Sequence, residues 1–147
     1  MPLRGLKKTK QAVIDLSKKA NKNLKGVYLA GLGNIIKETP VDEGRARNNW
    51  FLTTGSPSSS TTTLTGDGQE ITLPKNVLGK KIYFTNNLPY IGTLEYGEYP
   101  DPVKKGSYNK RSKSFEILSI GGFSKQAPKG WVRATLIKMQ NKIRALN

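Results

Sequence analysis

The chain has 147 residues, the usual size of one domain, and its 25 basic residues against 10 acidic ones give a net charge of +15 at pH 7. It contains neither cysteine nor histidine, which excludes disulfides, thiolate metal sites, thiol nucleophiles and every triad built on imidazole, and removes most zinc and copper chemistry. A hydrophobic fraction of 35% is low for a self-sufficient core, so part of the surface is expected to need a partner.

Along residues 9–37, Val13, Leu16, Ala20, Leu24, Val27, Gly31 and Ile35 recur at steps of three and four, which predicts one face of a long helix. Lys18, Lys19, Lys22 and Lys25 fall largely off that face, and Gly26, Gly31 and Gly33 predict a bend or a close helix approach in its second half. Thr39-Pro40 ends the helix, because the residue before proline is pushed out of the α region. Asp42 is the expected N-cap of a short turn over 43–49, and Trp50-Phe51-Leu52-Thr53-Thr54 reads as a strand. Residues 56–65 are rich in Ser and Thr and read as a mobile loop or hairpin tip.

A short strand is expected over 70–73, and a stronger, β-branched and aromatic one over 81–86. Pro89 suits the first turn of a short helix over 90–96, with Gly97 as its stop and Tyr90, Leu94 and Ile91 facing the sheet or the long helix. Residues 98–126 are punctuated by Pro and Gly and read as irregular, with a strand or helical turn over 115–118. From Pro128 a basic amphipathic helix closes the chain. Its apolar side holds Trp131, Ala134 or Thr135, Ile137 or Lys138, and Ile143 or Leu146.

Charge is unevenly distributed. Residues 1–26 carry eight Lys/Arg against Asp15, a net of +7, and residues 104–147 carry eleven against Glu116, a net of +10. The intervening stretch carries six basic and eight acidic residues, a net of −2. Basic ends of this kind attract nucleic acid, anionic surfaces or acidic proteins. The basic N-terminus is followed by no apolar leader run and no membrane-length apolar stretch occurs, so a soluble, unsecreted chain with no membrane contact is expected.

Few residues suggest chemistry. Gly31-Leu32-Gly33 resembles the opening of a dinucleotide fingerprint, but it lies inside the long helix without a preceding strand or a third glycine. The acids Glu95, Glu98 and Asp101, near Lys104 and Lys105, only loosely resemble a metal nuclease cluster; capping and ion pairing suit their turn-rich context better. Glu95 is expected to pair with Arg45 or Arg47. The segment from Tyr108 through Lys110, Arg111 and Lys113 to Phe115 interleaves cations with rings, suiting a groove for single strands or a loop docking on an acidic protein. Lys104, Lys105, Lys129 and Arg133 complete the candidate contacts. No nucleic-acid recognition signature is present, and neither catalytic residues, metal ligands nor cofactors are expected.

Three segments carry a family resemblance: Thr39-Pro40-Val41-Asp42-Glu43-Gly44-Arg45-Ala46-Arg47-Asn48-Asn49-Trp50, then Asn86-Asn87-Leu88-Pro89-Tyr90-Ile91-Gly92-Thr93-Leu94-Glu95-Tyr96-Gly97, then Ala127-Pro128-Lys129-Gly130-Trp131. In this order behind a long helix they resemble the tail-completion, or neck, proteins of long-tailed bacteriophages. Glu43 stands where that pattern commonly has Thr, and an extra Asn before Leu88 shifts the spacing.

The resemblance implies a non-enzymatic virion protein at the head–tail junction, assembled in the host cytoplasm into a ring, with six copies favoured. Such a ring completes or terminates the tail and joins the tail tube or tail terminator to the head connector, with DNA in its channel. Pro40, Asp42, Gly44, Arg47, Trp50, Pro89, Tyr90, Glu95, Tyr96 and Gly97 are then fold determinants. The expected architecture is α+β over a single domain, residues 1–147, with flexible loops near 56–66 and 98–126. A small twisted antiparallel sheet of three to five strands would pack against the long N-terminal helix and the C-terminal helix. A sequence-nonspecific nucleic-acid-binding protein is the alternative.

Overall fold

The computed structural model describes residues 2–146, with side chains from Gly5 onward; residues 1 and 147 of the expected domain lie outside it. The first helix, α1, runs Pro2–Glu38 without a break, 37 residues or about 55 Å at 1.5 Å per residue. It starts earlier than the apolar periodicity indicates because Pro2 suits a first helical turn and good helix formers follow. A Gln11 Nε2 bond to Asp15 Oδ1 at 2.9 Å adds local support one turn on. The helix is not interrupted at the glycines. Gly31 is instead a crossing point: a Cβ there would fall on the Met139 side chain.

Helix α2, Arg45–Asn48, is a single turn. Asp42 does not cap it. The N-cap is Gly44, left-handed at φ 82°, with no side-chain bond, and a Cβ on Gly44 would strike the backbone of Gly66. Strands β1, Trp50–Thr54, and β2, Ile82–Asn86, pair antiparallel with Trp50 opposite Asn86 and Leu52 opposite Phe84. The Trp50 and Phe84 rings stack at 4.9 Å between centroids.

The connection between these strands holds no third strand: residues 70–73 find no ladder partner, and Ile71 packs onto the core instead. Residues 56–65 carry neither helix nor strand. They lie against the body, where Asn49 and Thr62 exchange two bonds and Asn87 Nδ2 donates to the Ser58 and Ser60 carbonyls.

Helix α3, Ile91–Tyr96, ends at Gly97, whose φ of 73° lets its amide and that of Glu98 bond back to the Thr93 carbonyl. Leu94 is buried and Ile91 packs on the core, whereas Tyr90 turns out, 38% exposed. The expected irregular stretch contains two short hairpins: β3, Ser107–Asn109, with β4, Ser114–Glu116, and β5, Ser119–Ile120, with β6, Phe123–Ser124. The second turns on Gly121-Gly122, both at positive φ as a tight hairpin turn requires. Helix α4, Val132–Arg144, packs along the second half of α1.

The result is an α+β protein with small antiparallel sheets between a long N-terminal and a shorter C-terminal helix. In place of one sheet of three to five strands, the described residues form three separate two-stranded pieces. The core joins Val27, Leu32, Ile35 and Ile36 of α1 to Trp50, Leu94, Ala127, Trp131 and Met139. On α4 the buried positions are Thr135 and Met139, while Ala134 and Ile137 face out.

Candidate functional site: the motif joint and the exposed surfaces

The three sequence motifs meet where α1 ends. A helix leaves its last carbonyls short of internal partners, and here the Thr39 amide is joined by side chains, some from distant segments, in supplying the donors. The Ile35 carbonyl accepts from the Thr39 hydroxyl at 2.6 Å and from Trp131 Nε1 at 3.0 Å. Thr39, fully buried, in turn takes the Trp50 indole N–H at 2.9 Å. Arg47 donates to the carbonyls of Lys37 and Thr39 at 2.6 and 3.1 Å, a cation on the negative end of the α1 dipole. Asn86 of the second motif donates to the Ala46 carbonyl of the first. Pro40 and Gly44 are buried in this turn and Asp42 is exposed beside it.

The second and third motifs are joined by Glu95. Its side chain is 7% exposed and accepts four bonds: the amides of Trp131 and Val132 on Oε2, and the amide and Nε of Arg133 on Oε1, all between 2.8 and 3.0 Å. A carboxylate on three amides of a helix N-terminus meets both the orphan donors and the positive end of the dipole. Burial pushes the Glu95 carboxyl up, but the bonds from the three amides and from the Arg133 side chain outweigh it and hold the group below its ordinary value.

The partner of Glu95 is therefore Arg133, not Arg45 or Arg47. Arg45 bonds the Thr62 carbonyl, and Arg47 caps α1. Arg133 is drawn from the candidate contact set into this cap, its guanidinium 4.7 Å over the Tyr96 ring. One signal in the sequence points to this arrangement: Pro128-Lys129-Gly130-Trp131 offers no Ser, Thr, Asp or Asn cap for the helix that follows. The reciprocal pair of bonds between the Gln126 carboxamide and the Val41 backbone, 2.8 and 2.7 Å, had no such signal.

A shallow polar cavity of about 320 Å³ lies over the joint, lined by residues that include Lys37, Glu38, Arg47 and Gln126. Among the described residues, no three acids lie together as a metal site would need. Asp101 and Glu98 are exposed. The bonds of the joint hold the three segments together.

Lys104, Lys105, Lys110, Arg111 and Lys113 are all exposed on and around the β3–β4 hairpin, and Lys129 is exposed ahead of α4. Across the hairpin Tyr108 and Phe115 meet edge to face at 5.3 Å, 53% and 62% exposed, with Lys105 Nζ 5.8 Å from the Phe115 centroid. Glu116 is occupied by Asn109 and Ser112, whose bonds hold its carboxyl below the ordinary value. Among the described residues no helix is long and apolar enough to cross a membrane.

Comparison of the chain with protein-family models, curated proteins and solved structures returns no match.

Proposed function

We propose that this chain is a non-enzymatic assembly protein that forms a ring at the head–tail junction of a long-tailed bacteriophage, completing the tail and joining it to the head connector. The observation that carries the reading is the convergence of the three motifs on one buried joint. Thr39, Arg47, Trp50, Glu95 and Trp131 bond to one another's segments there, so the resemblance rests on residues that build a shared scaffold.

Light scattering at low and at 0.5 M salt, with and without tail tubes, tests the reading. A salt-resistant ring, or a monomer that becomes one on tubes, is the expected result; a monomer that ignores tubes and binds DNA at low salt refutes it. That second outcome belongs to sequence-nonspecific nucleic-acid binding, which the exposed rings and cations of the β3–β4 hairpin favour. On that reading, log affinity falls linearly with log salt, and Lys110→Ala with Arg111→Ala lowers the slope by about 2.

A further inference from the structure

Among the described residues, positions 5–20 of α1 lie outside the body of this chain. Among the described residues, the last tertiary hydrogen bonds toward the N-terminus of α1 are those of Asn21 with the Lys75 carbonyl and the Val77 amide, 3.0 and 2.8 Å. Every residue over 5–20 is exposed, an arm of about 24 Å. A helix of that length is marginal in water without a packed face, and this one has a face to pack. Leu6, Val13 and Leu16, 52%, 58% and 68% exposed, continue the stripe that Val27, Gly31 and Ile35 turn to the core and α4.

We propose that the arm is an inter-subunit clamp, its apolar stripe lying on the body of a second copy of this chain. The inference rests on the ring reading above and adds where one subunit grips the next. Two observations choose the second copy, and its body rather than its arm. Five lysines between Lys7 and Lys19, against Asp15 alone, make arm-on-arm pairing repulsive.

The body, by contrast, offers a slot of mixed character and acidic charge, about 180 Å³, lined by Trp50, Leu52, Ile71 and Phe84 together with Gln69, Glu70 and Thr72. Glu70 and neighbouring Asp67 are exposed, and among the described residues neither makes an ion pair. Stripe to slot and lysine to carboxylate is a heterologous contact, the kind that closes rings.

The absence of cysteine allows a direct test. The single variants Leu16→Cys and Glu70→Cys, both at exposed positions, are mixed, allowed to exchange subunits and oxidised. A disulfide-linked pair containing one chain of each is expected, with none from Leu16→Cys alone. Leu16→Asp, checked for folding by circular dichroism, is expected to weaken ring assembly at least 100-fold. Self-linkage of Leu16→Cys overturns the inference in favour of arm pairing. A ring that survives Leu16→Asp without the mixed linkage overturns it and leaves the ring reading standing. A wild-type chain monomeric at every concentration and on tubes overturns both.

Discussion

Replacing Glu95 with Gln separates two accounts of what holds the joint. The carboxylate offers one oxygen to the Trp131 and Val132 amides and the other to the amide and Nε of Arg133. A carboxamide keeps a single acceptor oxygen, so its NH₂ must face two donors. It does so at least cost on the Arg133 side, because that guanidinium, on a side chain 55% exposed, turns to water. The loss then falls mainly on one part-buried amide, that of Arg133, and on the removed charge, ~2–3 kcal/mol.

With an unfolding entropy of roughly 0.3 kcal/mol/K for a chain this long, Tm at pH 7 drops by ~7–10 °C in a calorimetric scan. Arg133→Met, which leaves the three amide bonds in place, costs at most ~1 kcal/mol, or ~3 °C. Equal losses in the two variants would refute the reasoning, since the ion pair rather than the helix cap would then hold the carboxylate. Acid titration adds a second arm. The folded-state pKa lies below the ordinary 4.5, so the carboxylate's contribution is complete above that pH and is lost as pH falls through the folded value. Wild type and Glu95→Gln should converge in Tm below pH 4.5, and curves that stay parallel would contradict the cap.

Thr39→Val leaves the Trp50 indole N–H buried without an acceptor and should cost ~1–3 kcal/mol in urea unfolding, whereas Thr39→Ser should stay near wild type. Gly31→Ala sets a methyl where the Met139 thioether lies. It should destabilise by ~1–2 kcal/mol alone and much less in a Met139→Ala background, a coupling that a double-mutant cycle reads directly. Arg47→Ala bares two carbonyls at the end of α1 and should cost ~1–2 kcal/mol, with Arg47→Lys only partly restoring the loss, because one ammonium does not reproduce two diverging guanidinium bonds.

The helices and the strands β1 and β2 were legible because hydrophobic period and turn residues are local properties. Trp50, Leu94 and Trp131 stood out as anchors for the same reason. What was illegible depends on where elements cross. The choice of Met139 over Ile137 as the buried residue of α4 follows from the line on which that helix passes Gly31, which no window of sequence contains. The expectation of Arg45 or Arg47 as the partner of Glu95 failed because its bond to Arg133 spans 38 positions and needs the approach of α4 to α3 before it exists. Residues 98–126 looked irregular because strands of two and three residues are too short to show a period. The cap and the slot were hidden by the same limit, since each is made by segments that meet only in the folded chain.

The α1–α4 packing also sets an order of events during synthesis. Ile35 leaves the ribosome nearly a hundred residues ahead of Trp131, whose indole bonds its carbonyl, and the Met139 side that seals the core emerges later still. Until α4 is out, the end of α1 is open and the body cannot close. The N-terminal half of α1, made first, is therefore in solution well before its own chain has a finished body.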